Sequence, residues 1–276
     1  MKRLMVLLLC LCLGLGPGGY AACAEEETER IAIICAMENE ARLLLSEAEI
    51  DRVDTVGGVE YHVGTLRGRN VVIARAGIGK ALSAAGTAVM LSRYPASALI
   101  FTGIAGGVGD ETQLLDMVIA TELVMHDYGV MSQDGFAWAA PSTGGTGFYT
   151  CDQGLVKAAY EAAAEVAGEE HVFRGLIASG DQFISSEDYV KFLQETFGAV
   201  ACEMEGASVA VVCEQFGVPF VVIRCMSDRA DGNARESIEN FGDLAADRSG
   251  QIVIRILEKM DESAETDETP AAEDAA

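Results

Sequence analysis

Two carboxylates stand inside a run of residues that otherwise suits a protein core. Glu203 and Glu205 belong to the stretch VACEMEGASVAVVC, residues 200–213. An ionised carboxylate in apolar surroundings is costly unless it is paired or hydrogen-bonded. The two acids could face the positive end of a helix that begins near Met204, or they could belong to a binding site. The stretch alone leaves both interpretations open.

Polar residues also follow two other apolar runs. Glu38 and Glu40 come directly after Ile31–Cys35, and the run that begins at Val221 ends in a polar group. Catalytic groups often occupy such strand ends, although a helix N-terminus or a salt-bridged strand exit explains them equally well. The polar group comprises Arg224, Ser227, Asp228 and Asp231.

Two glycine-rich turns could bring the backbone close to a ligand. In AGIGKALSAAG, residues 76–86, the amides could face an anion or a hydroxyl group. It is not a Walker loop, because the spacing is wrong and Ala81 follows Lys80. In FTGIAGGVGD, residues 101–110, the glycines suit a backbone wall against a flat ligand, or simply a tight turn.

Short apolar runs alternate with Ala-rich amphipathic segments, which predicts one α/β domain whose sheet is covered by helices on both faces. The predicted strands are 31–35, 71–76, 98–102, 117–124, 176–179 and 219–225. The predicted helices are 38–47, 80–93, 153–167, 187–197, 204–216 and 244–260.

The composition excludes several classes of function. A net charge of −24 without a basic stripe argues against a nucleic-acid partner. After three cysteines near the N-terminus, the remaining five form no C-x-x-C pair, which favours buried thiols. The three histidines are scattered, so we expect no metal site and no cofactor.

The two ends of the chain differ from its middle. Residues 1–24 combine Lys2 and Arg3, an apolar segment too short to span a membrane, and a small-residue cleavage signal, so we expect a secretory leader and export. The sequence before Cys23 is similar to a lipoprotein cleavage box, so a lipid anchor at Cys23 is the alternative to plain cleavage. If the leader is not used, we expect the protein to stay in the cytoplasm. Residues 25–30 and 261–276 form acidic flanks, the latter predicted to be disordered, around a domain at 31–260.

Six motifs together resemble the bacterial 5′-methylthioadenosine/S-adenosylhomocysteine nucleosidases in both order and spacing. The similarity covers approximately Ile31 to Lys259. The motifs are AMENE (36–40), GIGK (77–80), TGIAGG (102–107), SGDQFI (179–184), EME (203–205) and RCMSD (224–228).

The resemblance implies a three-layer α/β/α fold with a mixed central sheet, as in nucleoside phosphorylases. It implies hydrolysis of the N-glycosidic bond of methylthioadenosine and S-adenosylhomocysteine, with 5′-deoxyadenosine as a further candidate. It also implies a homodimer, in which a partner segment such as Val124 to Tyr128 closes the 5′ side of the site.

The resemblance also assigns roles to residues. Asp228 matches the acid that protonates the leaving base, and Glu40 matches the base that activates water. Glu205 matches the carboxylate that holds ribose hydroxyls beside the developing positive charge, whereas Glu203 is expected to be structural. The expected substrate contacts come from Met204, Arg224, Ser227, Phe183, Ile184, Met37, Ile78, Ile104 and Ile238.

Two residues depart from the family pattern. Ile104 replaces a serine, so a hydroxyl contact near the water or ribose is missing, and Ile238 replaces an aromatic residue near the 5′ group. The alternatives are another purine nucleosidase, a phosphorylase of the same fold or a secreted purine-binding protein. The acids of AMENE would repel phosphate, and retention of both Glu40 and Asp228 argues against binding without turnover.

Overall fold

The computed structural model describes residues 28–141 and 146–267, with side chains as far as Met260. The strands are β1 (Arg30–Cys35), β2 (Glu49–Val56), β3 (Val59–Leu66), β4 (Arg69–Arg75), β5 (Ala96–Gly107), β6 (Met117–Met125), β7 (Gly129–Ser132), β8 (Gly135–Trp138), β9 (Phe148–Thr150), β10 (Val172–Ser179), β11 (Ala199–Glu203) and β12 (Phe220–Asp228). The helices are α1 (Glu38–Glu47), α2 (Lys80–Arg93), α3 (Gln153–Ala167), α4 (Glu187–Phe197), α5 (Gly206–Phe216) and α6 (Ala234–Asp267).

A mixed sheet forms the centre of the molecule. Its strand order is β11-β10-β6-β12-β5-β1-β4-β3-β2, and β9 pairs with β6. The end of β11 also pairs with β5, where Ala201 lies opposite Gly107 and Cys202 opposite Gly106. Strands β5, β12, β6, β10 and β11 therefore close into a ring, which we call the strand ring.

Helices cover the sheet in two groups. Helices α1 and α3 pack against α6, which lies on β5 and β12, while α2 packs against α5, which contacts β6 and β10. Every residue of β12 is buried, as expected for a strand covered on both faces. The arrangement confirms the predicted α/β class with a mixed central sheet and flanking helices.

Several elements differ from those that the sequence predicts. Strands β2, β3, β7, β8 and β9 are additional. No side chain of β2 is buried, and less buried positions interrupt the buried ones of β3, so neither strand shows a continuous apolar run. The sequence predicts that the strand beginning near Ala98 ends at Thr102, but β5 continues through its glycines to Gly107. Helix α5 begins at Gly206 because Met204 and Glu205 form its non-helical entry, and α6 begins at Ala234, ten residues before the predicted start.

The described residues test only some of the predictions for the two ends of the chain. Helix α6 continues to Asp267, into the segment for which the sequence predicts a disordered tail. The leader, Cys23 and residues 268–276 lie outside the described residues. Within residues 28–141 and 146–267, no helix has both the length and the apolar character needed to cross a membrane. Cys35, Cys151, Cys202, Cys213 and Cys225 are all buried free thiols, as predicted.

Candidate active site

One cavity of about 260 Å³ collects most of the predicted site residues. It opens at the carboxyl ends of β5, β11 and β12, where α/β sheets commonly bind ligands. Arg224 alone among the predicted site residues does not line it. The predicted residues on its walls are Met37, Glu40, Ile78, Ile104, Phe183, Ile184, Met204, Glu205, Ser227, Asp228 and Ile238.

Glu40 enters the cavity from the first turn of α1. Its Oε2 atom accepts hydrogen bonds from the backbone N–H groups of Ala36 and Met37, at 2.9 and 2.8 Å. Its Oε1 atom accepts from the N–H of Ile104 at 2.9 Å. Burial raises the pKa of Glu40, against the opposing effects of Arg224 and these three donors. A fixed, buried carboxylate whose basicity exceeds the usual value suits a general base.

Glu205 precedes the first residue of α5 and is 6 % exposed. Its Oε1 atom accepts a hydrogen bond from the N–H of Gly79 at 2.8 Å, across 126 positions of sequence. Burial, followed by the charge of Glu203, raises the pKa of Glu205 to about 8. Binding of a positively charged sugar would therefore favour the ionised form of Glu205.

Asp228 is the last residue of β12 and is 2 % exposed. Its Oδ1 atom accepts from the N–H of Ala230 at 2.7 Å, and its Oδ2 atom accepts from the hydroxyl of Ser227 at 2.8 Å. Burial raises the pKa of Asp228, although both donors oppose the effect. A carboxyl group that holds its proton to higher pH is suited to act as an acid.

Two glycines of β5 make room for these acids. A Cβ atom at Gly103 would lie 2.3 Å from Glu40 Oε1, and one at Gly106 would lie 2.8 Å from Asp228 Oδ1. Any larger residue would displace a carboxylate. The TGIAGG motif therefore forms a wall of the cavity as a strand, and its glycines serve close approach instead of a turn.

Glu203 and Arg224 form a buried ion pair at the end of β11. Arg224 Nη2 donates to Glu203 Oε2 at 2.7 Å, and the two side chains are 1 % and 2 % exposed. Glu203 also accepts from the N–H groups of Glu205 and Gly206 and from the hydroxyl of Ser179. Glu203 thus holds the entry to α5, the structural role that the sequence predicts, and part of it also reaches the cavity wall.

Arg224 lies directly behind the cavity wall, and the substrate contact that the resemblance assigns to it stays a prediction. The guanidinium group lies over the ring of Phe101, with 4.0 Å between Cζ and the ring centroid. Its charge also acts on Glu40, where it lowers the pKa against the effect of burial. In this structure, Arg224 pairs with Glu203 and acts on Glu40 through its charge alone.

The apolar walls come from loops and from α6. Phe183 and Ile78 are about half exposed at the rim, in the loops that follow β10 and β4. Past Met37 and Ile78 the cavity adjoins a groove of about 500 Å³, which Glu38 and Arg75 also line. The site thus joins an interior lined by carboxyl groups to an open rim with exposed apolar side chains.

Some lining residues were not predicted individually. Gln182 lies within the SGDQFI motif, directly before Phe183, so its position after a buried strand is the signal that could have identified it. Apart from Glu203, the other unpredicted lining residues are Ala36, Ala105, Gly106, Cys202 and Ala230. These are small or core-type residues, and the sequence carries no chemical signal for them.

The amides of the GIGK turn face acidic groups, one of the two kinds of partner that the sequence allows, but these groups belong to the protein. The N–H of Gly79 donates to Glu205, and the N–H of Lys80 donates to Asp181 Oδ1 at 2.8 Å. Both amides therefore face carboxylates of the protein itself, which argues against an anion-binding role. Among the described residues, no group of three or more His, Cys, Asp or Glu side chains is arranged to hold a metal ion.

Comparison with known proteins identifies relatives. The profile of the Phosphorylase superfamily matches residues 30–258. Nucleosidases named for 5′-methylthioadenosine and S-adenosylhomocysteine match from Shewanella sediminis, at 38 % identity over 84 % of this chain and 100 % of theirs, and from Geobacillus thermodenitrificans, at 39 % over 83 % and 96 %.

Solved structures agree with these matches. The Neisseria meningitidis nucleosidase in complex with methylthio-immucillin-A matches with a TM-score of 0.78 and 36 % identity, over 84 % of this chain and all of that one. A futalosine hydrolase mutant from Helicobacter pylori matches with a TM-score of 0.76 and 32 % identity, over the same shares. These findings confirm the resemblance of the motifs: the chain belongs to the 5′-methylthioadenosine/S-adenosylhomocysteine nucleosidases of the Phosphorylase superfamily.

Proposed function

We propose that the protein hydrolyses the N-glycosidic bond of 5′-methylthioadenosine and S-adenosylhomocysteine, releasing adenine and the 5′-substituted ribose. The observation that carries the proposal is the convergence of Glu40, Glu205 and Asp228 on one cavity. Each of these carboxyl groups is buried and held by hydrogen-bond donors of the protein. The curated relatives are named for the same two substrates.

The residues divide the reaction between them. Asp228 gives its proton to N7 of the leaving adenine as the bond to the sugar breaks. Glu205 accepts hydrogen bonds from the ribose hydroxyls and stabilises the positive charge that develops on the sugar. Glu40 takes a proton from the attacking water, and the new bond forms between that water oxygen and C1′ of the ribose.

The walls of the cavity favour a purine with an apolar 5′ group. Phe183 offers an aromatic face to the base, and Met37, Ile78 and Ile238 offer apolar contacts to a thioether. The adjoining groove beyond Met37 and Ile78 gives a longer 5′ substituent, such as homocysteine, a path out of the cavity.

The test uses purified protein and a panel of nucleosides, with and without phosphate, and chromatography of the released base and sugar. The panel comprises methylthioadenosine, S-adenosylhomocysteine, 5′-deoxyadenosine, adenosine, inosine and futalosine, the last because of the similar futalosine hydrolase. We expect free adenine and free sugar, independent of phosphate. Ribose 1-phosphate formed only with phosphate would indicate a phosphorylase, and tight binding without products would indicate a binding protein.

The proposal extends to a homodimer. The hairpin β7–β8 and the residue before it expose apolar side chains next to Val124 to Tyr128, the segment that the resemblance assigns to the dimer interface. They are Tyr128, Val130, Met131 and Phe136. A second copy of the chain is the occupant proposed for this surface. In sedimentation, we expect a dimer for the wild type and a monomer for Met131→Glu; a fully active monomeric wild type would contradict the proposal.

The proposal also includes export of the protein through its N-terminal leader, by plain cleavage or by lipidation at Cys23. The support is the charge, length and cleavage signal of residues 1–24. Mass spectrometry of the mature chain separates the outcomes. A free N-terminus near residue 24 indicates plain cleavage, a diacylglycerol mass on Cys23 indicates lipidation, and an intact Met1 contradicts export by this route.

A further inference from the structure

A cluster of charged side chains lies beside the active site without lining it. Lys80 Nζ lies 2.5 Å from Asp127 Oδ1 and 3.8 Å from Asp181 Oδ2. The side chains of Lys80 and Asp127 are only 19 % and 14 % exposed. The three residues come from separate parts of the chain: Lys80 begins α2, Asp127 follows β6 and Asp181 follows β10.

Backbone hydrogen bonds close this cluster into a ring. Asp127 Oδ2 accepts from the N–H of Asp181 at 2.9 Å, and Asp181 Oδ1 accepts from the N–H of Lys80 at 2.8 Å. Each of the three residues therefore contacts the other two, although all three lie far apart in the sequence. Burial acts to raise the pKa of Asp127, but Lys80 and the Asp181 amide together lower it, so the aspartate remains charged.

The cluster adjoins the active site on two sides. On one side, Gly79 directly precedes Lys80, and its N–H group donates to Glu205 at 2.8 Å. On the other side, Asp181 directly precedes Gln182, Phe183 and Ile184, all of which line the cavity. A shift of the cluster would therefore move both the Glu205 carboxylate and the wall that faces the base.

The ammonium group of Lys80 forms ion pairs with the carboxylates of both Asp127 and Asp181. Lys80 is not among the residues that line the cavity. A half-buried ammonium group with two carboxylate partners holds its neighbours more firmly than an exposed ion pair, because solvent screens it less. Loss of its charge would leave Asp127 without its ion-pair partner.

We propose that Lys80, Asp127 and Asp181 form a positioning lock, which fixes the Gly79 amide on Glu205 and holds the Phe183 loop against the cavity. The inference rests on the proposed function, since it concerns turnover through Glu205. Lys80 is thus a positioning residue, and its contribution reaches the substrate through other groups.

The test compares Lys80→Met with Lys80→Arg and Asp127→Asn. Lys157→Met is the matched control, because Lys157 forms an exposed pair with Glu161. Displacement of a catalytic group by about 1 Å can cost roughly a hundredfold in rate. We therefore expect kcat per folded molecule on methylthioadenosine to fall by about 10- to 100-fold in Lys80→Met and Asp127→Asn, with a smaller change in KM. Lys80→Arg should recover most of this loss, and Lys157→Met should behave as wild type.

A second measurement does not depend on turnover. Hydrogen exchange of the Gly79 amide should accelerate at least tenfold in Lys80→Met and remain unchanged in Lys157→Met. A merely structural role would lower the melting temperature and leave kcat per folded molecule, KM and Gly79 exchange intact. That result overturns the lock.

The remaining outcomes are also decisive. If Lys80→Met fails to fold, Asp127→Asn and Lys80→Arg decide through the same kcat and exchange measurements. Asp127→Asn and the double variant Lys80→Met/Asp127→Asn should lose similar activity, because residues of one unit are not additive. A wild type that releases no adenine refutes the proposed function, whereas an active wild type with unchanged kcat and Gly79 exchange in the lock variants refutes the lock alone.

Discussion

Arg224 donates to Glu203 across 2.7 Å in a setting from which solvent is almost completely excluded. Removal of one partner leaves a buried charge without compensation, which typically costs about 3–5 kcal/mol. We predict that Arg224→Met lowers the free energy of unfolding by about that amount in urea titrations.

A matched control and a double variant accompany this prediction. Arg42→Met removes an exposed partner of Asp247 and should cost no more than about 1 kcal/mol. Glu203→Gln/Arg224→Met should recover part of the loss, because neither charge is then left alone. A loss below about 1 kcal/mol in Arg224→Met would mean that the pair contributes little.

Asp228 provides the sharpest test of the chemistry. Asp228→Asn preserves the shape of the side chain but cannot protonate a leaving base. We predict a fall in kcat of about 10²–10⁴-fold with little change in KM or in the melting temperature. Asp231→Asn, the same change three residues away and outside the cavity lining, should retain activity. A folded Asp228→Asn enzyme within about threefold of the wild-type kcat rules out the acid role.

The raised pKa of Glu205 predicts a pH dependence of stability. The folded chain binds the proton of Glu205 more tightly than the unfolded chain, with a pKa of about 8 against the usual 4.5. This contribution is fully present below pH 4.5 and is lost as the pH rises to about 8. We therefore expect wild type to lose more stability than Glu205→Gln between pH 5 and pH 8.

Urea unfolding at the two pH values measures the difference. Glu195→Gln is the control, because Glu195 lies in an exposed pair with Lys191. Its stability should follow wild type with pH. Parallel pH dependences of wild type and Glu205→Gln would show that Glu205 titrates alike in the folded and unfolded chains.

Ile104 allows a gain of activity to be tested. Its backbone N–H donates to Glu40, and its side chain lines the cavity, so Ile104→Ser keeps the backbone contact and adds a hydroxyl group. One net hydrogen bond is worth about 0.5–1.5 kcal/mol, so we predict that kcat/KM increases by about 2- to 10-fold. Ile104→Ala separates the added hydroxyl from the lost bulk. Equal activity in the Ser and Ala variants would exclude a hydroxyl contact.

Acids and glycines at strand ends are visible in the sequence, but the resemblance of the six motifs assigned them to one site. The cavity brings these predicted residues together, except for Arg224. The stretch 200–213 by itself could not decide between the two interpretations of Glu203 and Glu205, since the decisive contacts come from Gly79 and Arg224. The Gly79 contact spans 126 positions, and no local pattern encodes it. The structure combines both interpretations: Glu203 holds the helix entry, and Glu205 faces the cavity.

Some strands of the fold could likewise be predicted from the sequence, whereas others could not. Strands with two covered faces, such as β12, were predicted from their apolar runs. Strand β2 was missed because its sequence, EIDRVDTV, places most side chains in solvent at the edge of the sheet. An edge strand forms because it pairs with a neighbouring strand, and the sequence of the edge strand alone does not reveal that pairing.

The strand ring also separates the residues proposed for bond cleavage from those proposed to select the nucleoside. Asp228 ends one strand of the ring and Glu205 lies two residues after the end of another, whereas Phe183 and Ile78 lie in loops and Ile238 lies in α6. Bond cleavage therefore depends on a scaffold that tolerates little change, while selection among nucleosides depends on positions that can be exchanged singly. New substrate preferences could accordingly evolve at the rim while the acids keep their arrangement.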